Sequence, residues 1–192
     1  MDQRPDLKGS CRKLLRRELD LYRAHLLRLD QEARRKRFAH SVSDGFIENY
    51  AQRASDAGTI VFGYFDDGEL RGVGELKCDS SKSCKTAEAA FSVETPYLNR
   101  GIATELMGHI NRSARNRGVR HLVLNCLIEN AKMRAIAVKY NADLRIEDGA
   151  VIADIVPKSS DYLSRATEAF DDRIGIFLAV LDLHSRSWHN AA

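Results

Sequence analysis

The sequence predicts a mixed α/β fold of the α+β kind, built on one mixed sheet. Three observations carry this reading. Three strand-like segments follow one another with only turns between them, as in an antiparallel meander. A helix-period segment then separates the third strand from a fourth, which makes their pairing a parallel crossover. The third strand also runs through a tight glycine turn directly into that helix.

The elements are read in order. Residues 13–19 suggest a first strand. Asp20 suits the N-cap of a short helix carrying Leu21, Leu26, Leu27 and Leu29. Ser41, Val42, Ser43 and Asp44 have the form of a capping box. They open a helix in which Phe46, Ile47, Tyr50, Ala51 and Ala54 recur at helical spacing. The meander follows as strands at 59–65, rich in β-branched and aromatic residues, and at 70–77 and 86–94. A turn around Gly68 joins the first two, and a Ser/Lys-rich loop joins the second and third. Residues 101–117 form the crossover helix, with Ile102, Leu106, Ile110 and Ala114 on one face and Gly118 as its stop. A strand at 120–127, a helix at 130–140 and strands at 143–146 and 151–156 complete the sheet. Residues 173–188 predict an amphipathic helix. No repeat or linker divides the chain, so one domain spans 1–192, with a core at about 13–156 and a C-terminal helical extension at 158–192.

Composition narrows the class. The 192 residues are 44% hydrophobic and 30% charged, as in soluble globular proteins. No apolar run nears the roughly 18 residues of a membrane span, and the first ten residues lack the apolar stretch of a signal peptide. A cytoplasmic protein with no membrane partner is expected. Of the four cysteines, Cys78 and Cys84 flank the polar loop and could meet across the hairpin; reduced thiols are expected in a cytosolic protein. Residues 1–40 carry 12 Lys/Arg against 6 Asp/Glu. Aromatic residues do not interleave with these charges, which argues against nucleic acid as a partner. No metal site is read from the scattered histidines and cysteines, since none has zinc-like spacing.

The stretch from Phe91 to Met107 carries the chemistry. Gly101 removes a side chain where the backbone turns, and Ala103 is small two residues on. N–H groups from Leu98 to Thr104 would point outward at a helix start, where the macrodipole favours an anion such as a diphosphate. Arg100 offers a cation and Thr104 a hydroxyl. Competing phosphate loops do not fit. There is no GxxxxGK[ST], and Gly72-Val73-Gly74 lacks a third glycine and sits inside a hairpin strand.

Asn99, Arg100, Gly101, Ile102, Ala103 and Thr104 resemble the acetyl-CoA pyrophosphate loop of GNAT acetyltransferases, written Q/R-x-x-G-x-G/A. Ala87 to Glu94 resembles the strand before that loop, and Leu124 to Asn130 the following strand with its asparagine. Two positions depart from the pattern. The family's first Gln/Arg falls at Leu98, and its usual general-acid tyrosine falls at Ala137, with Tyr140 three residues later. In lacking that tyrosine the chain is similar to bacterial protein-lysine acetyltransferase domains.

The resemblance implies a central parallel strand pair that splays apart, helices on both faces, and acetyl-CoA as co-substrate. The pantetheine arm would pair with backbone groups of Phe91 and Val93, beside Ser92. Asn130 and the loop from Leu98 to Thr104 would complete the cofactor set. The implied reaction is direct acetyl transfer to a primary amine, of a small molecule or a protein lysine; the alternative is a non-catalytic acyl-CoA-binding sensor of the same fold. A homodimer is compatible with either. Glu88 is the candidate base, in an alanine-rich strand where desolvation would raise its pKa, and Glu94 on the same strand face is second. Cys126 reads as a buried structural cysteine and Tyr140 as a core residue.

Overall fold

The computed structural model describes residues 9–54, 58–78, 84–158 and 162–189. Its strands are β1 (Ser10–Lys13), β2 (Thr59–Asp66), β3 (Glu69–Cys78), β4 (Thr86–Val93), β5 (His121–Leu127), β6 (Asp143–Glu147) and β7 (Ala150–Ile155). The helices are α1 (Leu19–Arg28), α2 (Gln31–Phe38), α3 (Asp44–Arg53), α4 (Ile102–Asn116), α5 (Ala131–Lys139) and α6 (Tyr162–His189). All seven strands lie in one sheet of order β1-β2-β3-β4-β5-β7-β6. Every neighbouring pair is antiparallel except β4 and β5.

Strand alternation assigns two cores. On one face, Val61, Phe65, Leu70 and Val73 pack against Tyr22, Leu26, Ile47 and Ala51 from α1 and α3. On the other, Leu76, Ala87, Ala89, Leu122 and Leu124 pack against Ile102, Leu106, Ile110 and Ala114, the apolar stripe of α4. Gly72 lets that helix sit close to β3. A Cβ there would stand 2.9 Å from Ile102 Cγ2, tighter than van der Waals contact allows. Each face is thus covered by helices, with α4 held against the strand that leads into it.

Several boundaries differ from expectation for physical reasons. The first strand is Ser10–Lys13, not 13–19, because Glu18 turns back to Arg12 in a buried ion pair of 2.8 Å and accepts from Leu15 N at 2.9 Å. Residues Arg16–Glu18 form a 3-10 turn there, so α1 begins at Leu19 with Glu18, rather than Asp20, as its cap. Helix α2 went unpredicted because it buries no residue and so has no apolar period. Its start is nonetheless marked, since the Asp30 side chain accepts from Ala33 N at 2.8 Å. Ser43, not Ser41, caps α3. Helix α6 begins at Tyr162 rather than at 173. Its first turns dock through polar contacts, Ser164 Oγ donating to Asn116 Oδ1 at 2.7 Å and Glu168 pairing with Arg117 at 2.7 Å.

The cysteines also correct an expectation. Cys78 and Cys84 are joined by a disulfide, because the antiparallel β3–β4 pairing brings their Cα atoms to 5.6 Å. Cys126 is buried on the α4 side, as a packing residue. No helix among the described residues is long and apolar enough to cross a membrane.

Candidate active site

The parallel pair opens partway along. Strands β4 and β5 are in register from Thr86 opposite His121 to Ala89 opposite Leu124, and there the pairing stops although both strands continue. The free edge of β4 can be assigned. Glu94 N donates to Arg71 O on β3 at 3.0 Å, so by alternation Phe91 and Val93 turn their N–H and C=O groups the other way, into the gap. Their side chains meanwhile pack toward α4. A strand edge with exposed donors and acceptors beside an open wedge can accept an extended amide-containing chain.

Past Val93 the chain makes a 3-10 turn, Thr95–Tyr97, and enters α4. Asn99 and Gly101 both have left-handed backbone, with φ of 66° and 86°. The turn narrows the expected set of donors. Leu98 N is spent on Thr95 O at 3.2 Å, and Thr104 N on Gly101 O at 3.0 Å. Residues 99–103 are left to present N–H groups ahead of the first helical turn, with the positive end of a 15-residue helix behind them. Leu98 is exposed and, with its N–H so spent, brings no donor to the turn. Arg100 folds back, donating to Pro96 O at 2.9 Å and stacking 4.7 Å from the Tyr97 ring centroid. The Asn130 side-chain oxygen accepts from Met133 N at 3.3 Å as the cap of α5. Ala137 is buried, and Tyr140 packs into the α4 core, where burial raises its pKa. Tyr140 is therefore a packing residue.

The predicted carboxylates part ways. The Ser92 hydroxyl sits 2.9 Å from His25 Nε2, and His25 Nδ1 sits 3.3 Å from Glu94 Oε1. Glu94 also accepts from Arg28 at 2.9 Å and from Arg71 at 3.0 Å. Burial pushes the Glu94 pKa up, but the hydrogen bonds from His25, Arg28 and Arg71 outweigh it and hold the value at about 2. So acidic a group, with every oxygen engaged, cannot take a proton near neutral pH. It ties α1 to the end of β4. Glu94→Gln is expected to lower stability by about 1.5–3 kcal/mol at pH 7, as for lost hydrogen bonds to a charged group. A carboxylate with a depressed folded pKa stabilises fully above its unfolded value and loses that contribution as pH falls toward 2. Urea unfolding at pH 7 and pH 3 should therefore show the mutant's deficit shrinking with acid.

Glu88 stands apart. It is exposed, and its alanine neighbours Ala87 and Ala89 point to the opposite face, so they do not enclose it. The apolar environment expected from sequence is corrected by strand alternation. Its backbone pairs within the sheet, opposite Lys77 and Val123, and among the described residues its side chain has no ion-pair or hydrogen-bond partner. It lines a cleft of about 900 Å³ between α3 and the sheet, one rung before the strands part. Tyr50, Glu75, Lys77, Val123 and Asn125 share that cleft.

Glu75, Tyr50 and Asn125 were missed. A carboxylate between Gly74 and Leu76, in the otherwise apolar middle of β3, was the available signal. Glu75 is buried and saturated: Arg37 donates at 2.5 Å and the Tyr50 hydroxyl at 2.8 Å. Burial first, and then Glu75, push the Tyr50 phenol up to about 12, so it remains a donor. The cleft joins an aromatic wall, the Glu75 carboxylate fixed by Arg37, and the Glu88 carboxylate, with Lys77 opposite Glu88 on β3 and Arg53 at the wall.

Comparison with known proteins agrees with this geometry. The sequence model of the Acetyltransferase (GNAT) family matches residues 21–140. The GNAT domain of Streptomyces lividans PAT superposes with a TM-score of 0.65 at 19% identity, covering 77% of this chain and 90% of that one. A GNAT-family acetyltransferase from Streptococcus pneumoniae gives 0.62 at 15% identity, covering 78% and 99%. PaiA N-acetyltransferase from Thermoplasma acidophilum, solved in complex with coenzyme A, gives 0.57 at 16% identity, covering 77% and 98%. At these identities the structural matches establish the fold.

Proposed function

The chain belongs to the acetyltransferase (GNAT) family, and we propose that it moves an acetyl group from acetyl-CoA directly to a primary amine, of a small molecule or a protein lysine, held in the cleft beside Glu88. The observation that carries this reading is the position of Glu88. It is the unengaged carboxylate of the cleft and lies one rung before the β4–β5 gap opens.

The residues present fit the donor. The N–H groups of residues 99–103 suit its diphosphate, and the β4 edge at Phe91 and Val93 suits the amides of its pantetheine arm. Acetyl-CoA supplies the activated acyl group. The protein's part is to hold that group in the gap, to admit an amine from the cleft, and to remove a proton from it. An amine with a reference pKa near 10.4 is mostly protonated at neutral pH, so the base matters. Glu88 takes that proton, directly or through one water, and a β4 N–H in the gap stabilises the oxyanion. The core at about 13–156 carries these groups, with α6 as an extension of the same domain.

The test joins binding to turnover. Acetyl-CoA at about 100 times its Kd should add ~2.7 kcal/mol and raise Tm by about 5–10 °C. Thiol release should then accelerate with at least one member of a panel of amines, polyamines and peptide lysines. No thermal shift at saturating acetyl-CoA would sink the donor assignment. A shift without amine-dependent release across the panel would instead favour a sensor.

A further inference from the structure

A second group of reactive side chains lies away from the cleft, on the α4 face of the sheet. Cys11 projects from β1, while Glu105 and His109 stand one turn apart on α4. The i, i+4 spacing puts the last two on one helix face. The Cys11 sulfur, a Glu105 oxygen and a His109 ring nitrogen all lie within 4.8 Å of one another. Each residue is partly buried, so an ion could enter from solvent. A second observation points to a ligand: Glu105 Oε2 is sealed from solvent with no hydrogen-bond partner, and the donor beside that carboxylate is the Cys11 thiol, whose proton a bound cation would replace. A buried carboxylate oxygen without a donor is costly, and a cation would satisfy it. The His109 ring lies 5.5 Å from that of Phe62, which limits its orientation.

From this geometry we propose that Cys11, Glu105 and His109 form a binding site for a single zinc-class cation. One sulfur, one nitrogen and one oxygen donor suit a borderline-soft divalent ion, for which thiolate and imidazole select over magnesium or calcium. Three protein ligands leave a fourth, tetrahedral position to water. On binding, Cys11 coordinates as thiolate and its proton passes to solvent. The charged groups facing the site are Arg112 on α4 itself and Glu168, Asp171 and Asp172 from α6, with the Tyr64 phenol from β2. Arg112 pairs with Asp171, Arg117 with Glu168 and Lys13 with Asp172, so these charges largely cancel and the attraction for a cation comes from Cys11 and Glu105 themselves. The site clamps β1 to the first turns of α4, immediately behind the 99–103 turn.

The experiment uses the full chain with its disulfide intact, stripped with chelator and titrated with Zn²⁺ by calorimetry, with Co²⁺ as an optical probe. One ion per chain is expected, and Co²⁺ should show a near-ultraviolet thiolate charge-transfer band. Cys11→Ser should abolish the band, and His109→Asn should weaken Zn²⁺ binding by more than the roughly 10–100-fold typical of a supporting residue. Cys126→Ser should leave both unchanged. Circular dichroism in chelator checks that each variant folds; should Cys11→Ser fail to fold, His109→Asn and Cys126→Ser decide alone. Sub-stoichiometric binding, undiminished affinity in His109→Asn, or a band that vanishes with Cys126→Ser would overturn the assignment.

Discussion

Glu88→Gln is expected to cut turnover by about 10²–10⁴-fold, the usual share of general base catalysis, while leaving acetyl-CoA affinity unchanged. Three carboxylates lie close to the β4–β5 junction, and the structure separates them by their partners. Glu94 is held at about 2 by three hydrogen-bond donors. Glu75 is committed to Arg37 and Tyr50. Glu88 faces the cleft with neither oxygen engaged among the described residues. Substitution by glutamine keeps its shape and exposure, so folding and the cofactor turn are left intact. The deficit should shrink as pH rises, because more of the amine is then neutral without help. Rate profiles against pH for the parent and Glu88→Gln decide the matter once an acceptor is found. Equal rates at pH 7 would remove Glu88 from the mechanism. If Glu75→Gln alone then abolished turnover with its fold retained, the Arg37–Tyr50–Glu75 network would be the proton acceptor instead.

What could be read from sequence was whatever repeats locally. The stripe of Ile102, Leu106, Ile110 and Ala114 announced α4, and the β-branched and aromatic run at 59–65 announced β2, because each reports the face that a core buries. The order of elements then required the parallel β4–β5 pair. Features formed by polar contacts left no such trace. Helix α2 has no buried residue, and the start of α6 is held by Ser164 and Glu168 against α4. The environment of Glu88 was misjudged for a simpler reason. Neighbours in a strand point to opposite faces, so Ala87 and Ala89 describe the α4 side while Glu88 belongs to the cleft. Long-range groupings were beyond reach altogether. Glu75 meets Arg37 across 38 positions, and Cys11 meets Glu105 only because β1 pairs beside β2 on the face that α4 covers. The turn at 99–101 into α4 was legible because its geometry is local: one glycine, one small residue and one helix start within a few positions.

Gly101→Val is expected to weaken acetyl-CoA binding by about 100-fold or more, while the sheet and both cores persist. Gly101 has φ of 86°, and it is the residue from which α4 begins. A β-branched residue held there costs on the order of 1–3 kcal/mol of strain, which the turn would relieve by rotating out of the left-handed region. That rotation would turn the N–H groups of residues 99–103 away from a shared anion. The valine side chain would also stand where a diphosphate must approach the backbone. Losing two or more charge-assisted hydrogen bonds, each worth about 1.5–3 kcal/mol, is enough for the predicted loss. The fold should survive because Ile102 and Leu106 are held against β3 by the rest of the α4 stripe, and position 101 itself belongs to neither core. Calorimetry on the variant, with circular dichroism as the check on folding, gives the answer. Unaltered affinity in a folded Gly101→Val protein would remove this turn from the cofactor site. Weakened affinity with turnover restored at high acetyl-CoA would show that the turn binds the donor and leaves the chemistry to the cleft.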